Sequence, residues 1–159
     1  MCDAPPDHIR FMQEALREAH LALRTADVPV GAVVVADQVM VGRGRNQREA
    51  LADPTAHAEV MALRDAARHL MNWRLDSATL YVTLEPCIMC IGAAVLSRIG
   101  CLVYACSDPK AGACGSQFDI LGAQRLNHTF PVVAGVCEAE ASALLKTFFR
   151  RLRQRKLDA

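Results

Sequence analysis

Two segments far apart in the chain, Pro54-Thr55-Ala56-His57-Ala58-Glu59 and Leu84-Glu85-Pro86-Cys87-Ile88-Met89-Cys90, read together as His-x-Glu…Pro-Cys-x-x-Cys. A catalytic zinc keeps three protein ligands and leaves the fourth tetrahedral position open. His57, Cys87 and Cys90 supply that number, so the chain has to fold back and bring both segments to one point. The Cys-x-x-Cys spacing sets two sulfurs one helical turn apart on one face if a helix starts near Pro86, a position that suits proline. The positive end of such a helix favours the thiolates that bind metal. Two thiolates and a neutral imidazole give a zinc site of about zero formal charge, which still lowers the pKa of bound water toward ~7. Glu59 is left over for proton transfer. A two-residue separation does not put His57 and Glu59 on one face of a regular helix, so His57 is expected at or near the helix's first turn, with Glu59 reaching past the metal. The bland alternative is an unrelated His and Glu beside reduced, buried cysteines, and a lone Cys-x-x-Cys also occurs in redox motifs and structural zinc knuckles. Each half here precedes an apolar helical run, which favours the metal reading.

His-x-Glu…Pro-Cys-x-x-Cys is the signature of the zinc nucleobase deaminases. Further segments agree: Pro29-Val30-Gly31-Ala32-Val33, Gly44 with Asn46, Asp53-Pro54-Thr55, Tyr81-Val82-Thr83-Leu84-Glu85-Pro86-Cys87 and Gly112-Ala113-Cys114-Gly115-Ser116. Over these motifs, and from about residue 8 to the C-terminal helix, the chain resembles the tRNA-specific adenosine deaminase family. The resemblance implies a three-layer α/β/α, cytidine-deaminase-like fold with a mixed five-stranded sheet, one Zn²⁺ per subunit and a cytoplasmic homodimer. It implies hydrolytic conversion of adenosine to inosine at the wobble position of a tRNA anticodon, with an arginine tRNA as the leading substrate. Hydroxide generated at the metal would attack the base while Glu59 shuttles protons. Asn46 reads locally as a turn residue. Its counterpart in the family hydrogen-bonds the target base, which an amide can match with a donor and an acceptor. Asp108, Lys110, Phe149, Arg150 and Arg153 are the candidate RNA contacts. The runner-up activity is deamination of guanine or another free base or nucleoside. A noncatalytic zinc subunit that only binds RNA is a third reading, and Glu59 counts against it, because binding needs no proton shuttle.

At 159 residues with a hydrophobic fraction of 52%, the chain suits one domain over 1–159 with an ample core, of which about residues 1–6 form a flexible N-terminal tail. No apolar run approaches the ~20 residues of a membrane span, and the N-terminus lacks the pattern of a signal peptide, so no membrane partner is expected. Seven cysteines without a repeating framework argue against a disulfide scaffold. Cys101, Cys106 and Cys114 lack partners at ligand spacing and read as small buried residues. The formal charge of +1 says little about partners, but Lys146, Arg150, Arg151, Arg153, Arg155 and Lys156 crowd the C-terminal stretch. Such a run suits phosphate, and it equally suits a solvated helix end.

Helix one is expected to begin after Asp7, its cap, and run to about Ala26, with Ile9, Met12, Leu16, Ala19 and Leu23 inward and Arg10, Glu14, Arg17, Glu18 and Arg24 outward. His8 and His20 read as surface residues. Val30 to Ala36 and Gln38 to Val41 suggest an antiparallel hairpin. Arg48 to Asp53 reads as a polar loop, and Pro54 or Thr55 as the start of a helix with Val60, Leu63, Ala67 and Leu70 inward. Strands are expected at Thr79 to Leu84, Cys101 to Ala105 and Pro131 to Val136, with a Gly-rich loop over Ser107 to Phe118. A last helix begins at Glu138 with Ala141, Leu144, Leu145 and Phe148 inward. Phe149 is read as a core residue or as a stacking surface beside the basic run.

Overall fold

The computed structural model describes residues 6–122 and 125–157. The β-branched runs form strands β1 (Gly31–Ala36), β3 (Thr79–Leu84), β4 (Cys101–Cys106) and β5 (Val132–Ala134), and the glycine-punctuated stretch after the first turn forms β2 (Val39–Arg45). They lie in the order β2-β1-β3-β4-β5, with β1 antiparallel to both neighbours and β3, β4 and β5 mutually parallel. Among the described residues the α-helices are α1 (Pro6–Ala22), α2 (Arg48–Leu51), α3 (Ala58–His69), α4 (Ile88–Ser97) and α5 (Glu138–Leu157).

Strand alternation sorts the core into two layers. Ala32, Val34, Leu80, Val82, Leu102 and Tyr104 pack with Ala58, Ala62, Leu63, Ala66, Ile91 and Ala94 of α3 and α4. Val33, Val35, Tyr81, Val103 and Ala105 pack with Phe11, Met12, Ala15 and Leu16 of α1 and Ala141 of α5. The mixed five-stranded sheet between two helical layers is the expected α/β/α architecture. Both crossovers that carry site residues, β1-β2 to β3 through α3 and β3 to β4 through α4, place their helices on the same face.

The turn between β1 and β2 holds Asp37 and Gln38 at φ 49° and 63°, the left-handed pair of a tight hairpin. β2 then runs on through Arg45, beyond the Val41 limit that apolar patterning suggested, because Gly42 and Gly44 face α3. A Cβ on Gly44 would overlap the carbonyl of Ala58 and the amide of Ala62, and one on Gly42 would overlap Ala62 and Ala66. The absence of side chains lets α3 lie almost backbone to backbone on the strand.

Other boundaries and faces differ from expectation. α1 begins at Pro6 and gives way at Leu23–Thr25 to a 3-10 turn, so Leu23 is exposed rather than inward. The expected N-terminal tail lies, over residues 1–5, outside the described residues. Glu18, expected in solvent, is buried and paired with Arg45 and Arg43 of β2 at 3.3 and 3.7 Å. His8 is half-buried and hydrogen-bonds the Tyr81 hydroxyl at 3.0 Å, whereas His20 is exposed as expected. The stretch after Asn46 is not a loop throughout, since α2 occupies Arg48–Leu51. α3 starts later than Pro54 or Thr55: Asp53 accepts hydrogen bonds from the Thr55 amide and hydroxyl and makes a turn there instead. Its inward face is Ala58, Glu59, Ala62, Leu63 and Ala66, and Leu70 is exposed. β5 is shorter than expected. In α5 only Ala141 is fully buried; Leu145 packs on the core, while Leu144 and Phe148 line a shallow groove with Leu23 and Leu152.

Gly44→Ala is expected to lower the unfolding free energy by about 1–3 kcal/mol, the usual cost of overpacking a tight contact. Urea denaturation of the variant against the parent protein measures it.

Candidate active site

The sheet brings the two halves of the motif together at neighbouring helix starts. His57 is the N-cap of α3 and Cys87 the N-cap of α4, each with extended backbone, and Cys90 lies in the first turn of α4. Placing His57 one step before the helix, rather than in it, resolves the two-residue spacing: Glu59 enters the helix and turns inward. His57 Nδ1 lies 3.6 Å from Cys87 Sγ and 3.5 Å from Cys90 Sγ, and all three donor atoms lie within 4.8 Å of one another. With Zn–N near 2.0–2.1 Å and Zn–S near 2.3 Å, a tetrahedral angle puts nitrogen and sulfur roughly 3.6 Å apart. The donors therefore fit a zinc ion both in chemistry and in spacing. Among the described residues no other cluster of His, Cys, Asp or Glu is built to hold a metal; Cys101, Cys106 and Cys114 take no part.

Without a metal the three groups share protons. The hydrogen bond from Cys90, and then that with His57, holds the Cys87 thiol down to about 4 against the effect of burial. Cys90 keeps its proton, raised by that same hydrogen bond and by burial, and the bond to Cys87 raises His57. A divalent cation would replace those shared protons. Glu59 sits beside them, only 4% exposed, and burial lifts its carboxyl to about 7. A carboxyl so placed can hold or release a proton near neutrality.

His57, Glu59 and Cys87 form the floor of an open cleft of about 690 Å³. Val28, Val30, Asn46 and Arg48 line one wall; Ser107, Asp108, Pro109, Lys110 and Ala111 of the loop after β4 line another. Glu138, Ser142, Lys146, Phe149 and Arg153 of α5 form the rim. Asn46 is buried, its Nδ2 donating to the Val28 carbonyl at 3.1 Å and its Oδ1 accepting from the Arg48 amide at 3.4 Å. One amide hydrogen and one oxygen lone pair remain for a ligand. The α2 turn beside it rests on Asp27, fully buried, which accepts from the amides of Glu49 and Ala50 and from the Thr25 hydroxyl.

The structure thus gathers His57, Glu59, Cys87, Asn46, Asp108, Lys110, Phe149 and Arg153 around one cleft, with Cys90 fully buried beside His57 and Cys87. Phe149 is 41% exposed on the rim, so its reading as a core residue is not what the fold does with it. Arg150, one residue on, does not line the cleft, because a single helical step carries it around α5. Sequence reasoning missed Arg48, Ser107, Glu138, Ser142, Asp27 and Glu85. Glu85 carried a signal, as a charged residue wedged between a buried strand and a helix-starting proline. Burial alone would raise its carboxyl; hydrogen bonds from the Ser116 hydroxyl and from the amides of Asp108, Cys114 and Ser116 outweigh burial and lower it.

Hydrolytic removal of an amine from a ring needs a Lewis-acid position and a sheltered proton carrier side by side, open to a space the size of a base. This fold supplies them in the manner of a nucleobase deaminase. The sequence profile of the MafB19-like deaminases matches residues 6–153. A tRNA-specific adenosine deaminase of Streptococcus pyogenes is 46% identical over 146 residues, spanning 92% of each chain. A solved structure from work on A-to-I editing by tRNA deaminases at the wobble position of transfer RNA superimposes with a TM-score of 0.83 at 41% identity, covering 86% of this chain and 99% of that one. The guanine deaminase from Nitrosomonas europaea shares the fold, with a TM-score of 0.74 at 24% identity over 93% of this chain and 86% of its own. The chain belongs to the tRNA-specific adenosine deaminase family.

Zinc loading is expected to protect the Cys87 thiolate from alkylation while leaving Cys101 and Cys137 unchanged, and a strong chelator should restore reactivity at Cys87, with the buried, protonated Cys90 slow in both states. Mass-spectrometric mapping of the alkylated cysteines checks this.

Proposed function

We propose that this chain converts adenosine to inosine at the wobble position of a tRNA anticodon, with an arginine tRNA as the first substrate to test. The observation that carries the reading is a buried carboxyl, Glu59, set against the His57, Cys87 and Cys90 donor set on the floor of a cleft with a basic rim. His57 Nδ1 and the Sγ atoms of Cys87 and Cys90 would hold a zinc ion, which would supply the Lewis acidity that makes water nucleophilic at neutral pH. Asn46 holds the edge of the purine through its spare donor and acceptor. Glu59 takes a proton from the attacking water, gives it to the ring nitrogen, and delivers a proton to the departing ammonia. Water and adenosine enter, inosine and ammonia leave, and the carboxyl ends as it began.

A base in a tRNA loop is cheap to unstack, which suits a site that must receive it alone. Lys110, Lys146 and Arg153 offer charge for flanking phosphates and Phe149 a face for stacking, features a free base would not need. That wall favours RNA over the guanine deaminase reading, for which a 24% identical neighbour supplies likeness of fold alone. A purely structural zinc module fits less well, because such sites are closed by a fourth protein ligand, and among the described residues only three donors cluster. We further propose that residues 1–159 act as one deaminase domain, that the working form is a homodimer, and that it acts in the cytoplasm. Among the described residues no helix is long and apolar enough to cross a membrane.

Glu59→Ala is expected to retain zinc and bind an arginine tRNA anticodon stem-loop with a Kd near that of the parent protein. Its inosine formation should fall by about 10³-fold or more, the scale lost with a proton-transfer group. Chromatography of nuclease digests reads inosine directly, with guanine and cytidine assayed alongside. Ammonia from guanine without inosine in RNA would move the protein to the free-base branch.

A further inference from the structure

Glu85 is 2% exposed, lies next to the proline that introduces the Cys87 loop, and has no part in the proton transfers described above. Its carboxylate is fully engaged by the loop after β4. Oε1 accepts from the Cys114 amide at 2.9 Å and the Ser116 amide at 3.2 Å. Oε2 accepts from the Asp108 amide at 3.0 Å and from the Ser116 hydroxyl. All four donors come from a stretch of nine residues that contains no helix or strand of its own. Gly112 closes over the carboxylate so tightly that a Cβ there would overlap it. Backbone contacts complete the tie: the Ala113 amide donates to the Pro86 carbonyl at 2.9 Å, and Cys87 bridges to Gly112.

A buried carboxylate that serves only packing would be poorly placed here, since four donors converge on it and none comes from a neighbouring helix. What those donors hold still is the segment Ser107 to Ala111, one wall of the cleft, with Asp108 and Lys110 on it. Asp108 repeats the device at smaller scale, its own Oδ1 accepting from the Lys110 and Ala111 amides. Glu85 and Cys87 are separated by Pro86 alone, so one short, stiff segment carries both a metal donor and the anchor of the opposite wall.

We propose that Glu85 is a positioning residue for RNA: it pins the 107–116 loop in the shape that receives the nucleotides flanking the target, and so sets substrate affinity rather than the chemical step. The inference rests on the RNA reading of the cleft, but its structural half does not require RNA. Replacing the carboxylate by an amide leaves the volume nearly unchanged, keeps one acceptor oxygen and turns N–H groups toward the donors that faced the other, so half of the anchor is lost without a cavity.

The test uses Glu85→Gln in the full zinc-loaded chain, with Ser116→Ala, at an exposed position, as a milder variant that removes one donor. Three readouts are compared: tryptic cleavage after Lys110, affinity for the anticodon stem-loop, and the single-turnover rate at saturating enzyme. Cleavage after Lys110 should quicken by about tenfold or more in Glu85→Gln while the other tryptic sites and the zinc content stay as in the parent. Affinity should fall by about tenfold or more, with the saturated rate within about threefold. Ser116→Ala should shift both in the same direction by less, and it decides the matter if Glu85→Gln does not fold. Unchanged cleavage after Lys110 overturns the proposal, as does zinc loss in step with affinity, or a saturated rate that falls while affinity holds. If the parent protein makes no inosine in RNA, the RNA reading fails by that result alone, and the proteolysis still reports whether Glu85 pins the loop.

Discussion

Backbone packing of α3 on the glycine face of β2 sets the geometry on which the site depends. With Gly42 and Gly44 lacking side chains, the first turn of α3 drops against the strand, and His57 is held at a fixed height beside the start of α4. A larger residue at either glycine would lift α3 from the sheet. The nitrogen and sulfur donors would then separate, and a spacing that matches one metal ion would be lost. The helix that carries Cys87 and Cys90 is set independently by the parallel pairing of β3 with β4, which fixes where β3 ends and the cysteine segment begins. The two helix starts meet because both crossovers return on the same face.

Burial and hydrogen bonding then give these groups their chemistry. In water Glu59 would be a plain carboxylate, and the cysteines plain thiols. In the folded site burial makes the Glu59 carboxyl hold a proton more firmly, while hydrogen bonds with Cys90 and His57 let Cys87 give one up against the effect of burial. Opposite shifts in adjacent groups make a site in which protons can be exchanged for a cation and then moved in catalysis. The helix N-termini add to this, because their unpaired amides favour negative sulfur.

The walls of the cleft are built from different material. Neither the 107–116 loop nor the α2 turn is an element with much regular structure, yet each is anchored by a buried carboxylate: Glu85 beneath one, Asp27 beneath the other. Both carboxylates accept main-chain amides that the loops themselves cannot pair, so the loops stay at the surface without being loose. α5 closes the third side with a face that carries Glu138, Ser142, Lys146, Phe149 and Arg153 in helical register toward the cleft.

Much of this was legible in the chain. The donor set, its proton carrier, five strands in order and the main helices follow from local chemistry and local period, since ligand type, β-branching and apolar spacing act over a few residues. Legibility failed where a residue's environment comes from elsewhere in the chain. Glu18 is buried because Arg45 and Arg43 cross from β2 to meet it; β2 continues through two glycines because a helix lies on them; Phe149 is at a rim because α5 packs by Ala141 and Leu145 instead. Glu85 stood in plain view in the metal motif, but its partners lie more than twenty residues downstream. Residue type and spacing define which atoms could bind a metal and carry a proton. Which walls face them, and what holds those walls in place, comes from the folded packing, because distances between remote segments are set by contacts that no local pattern encodes.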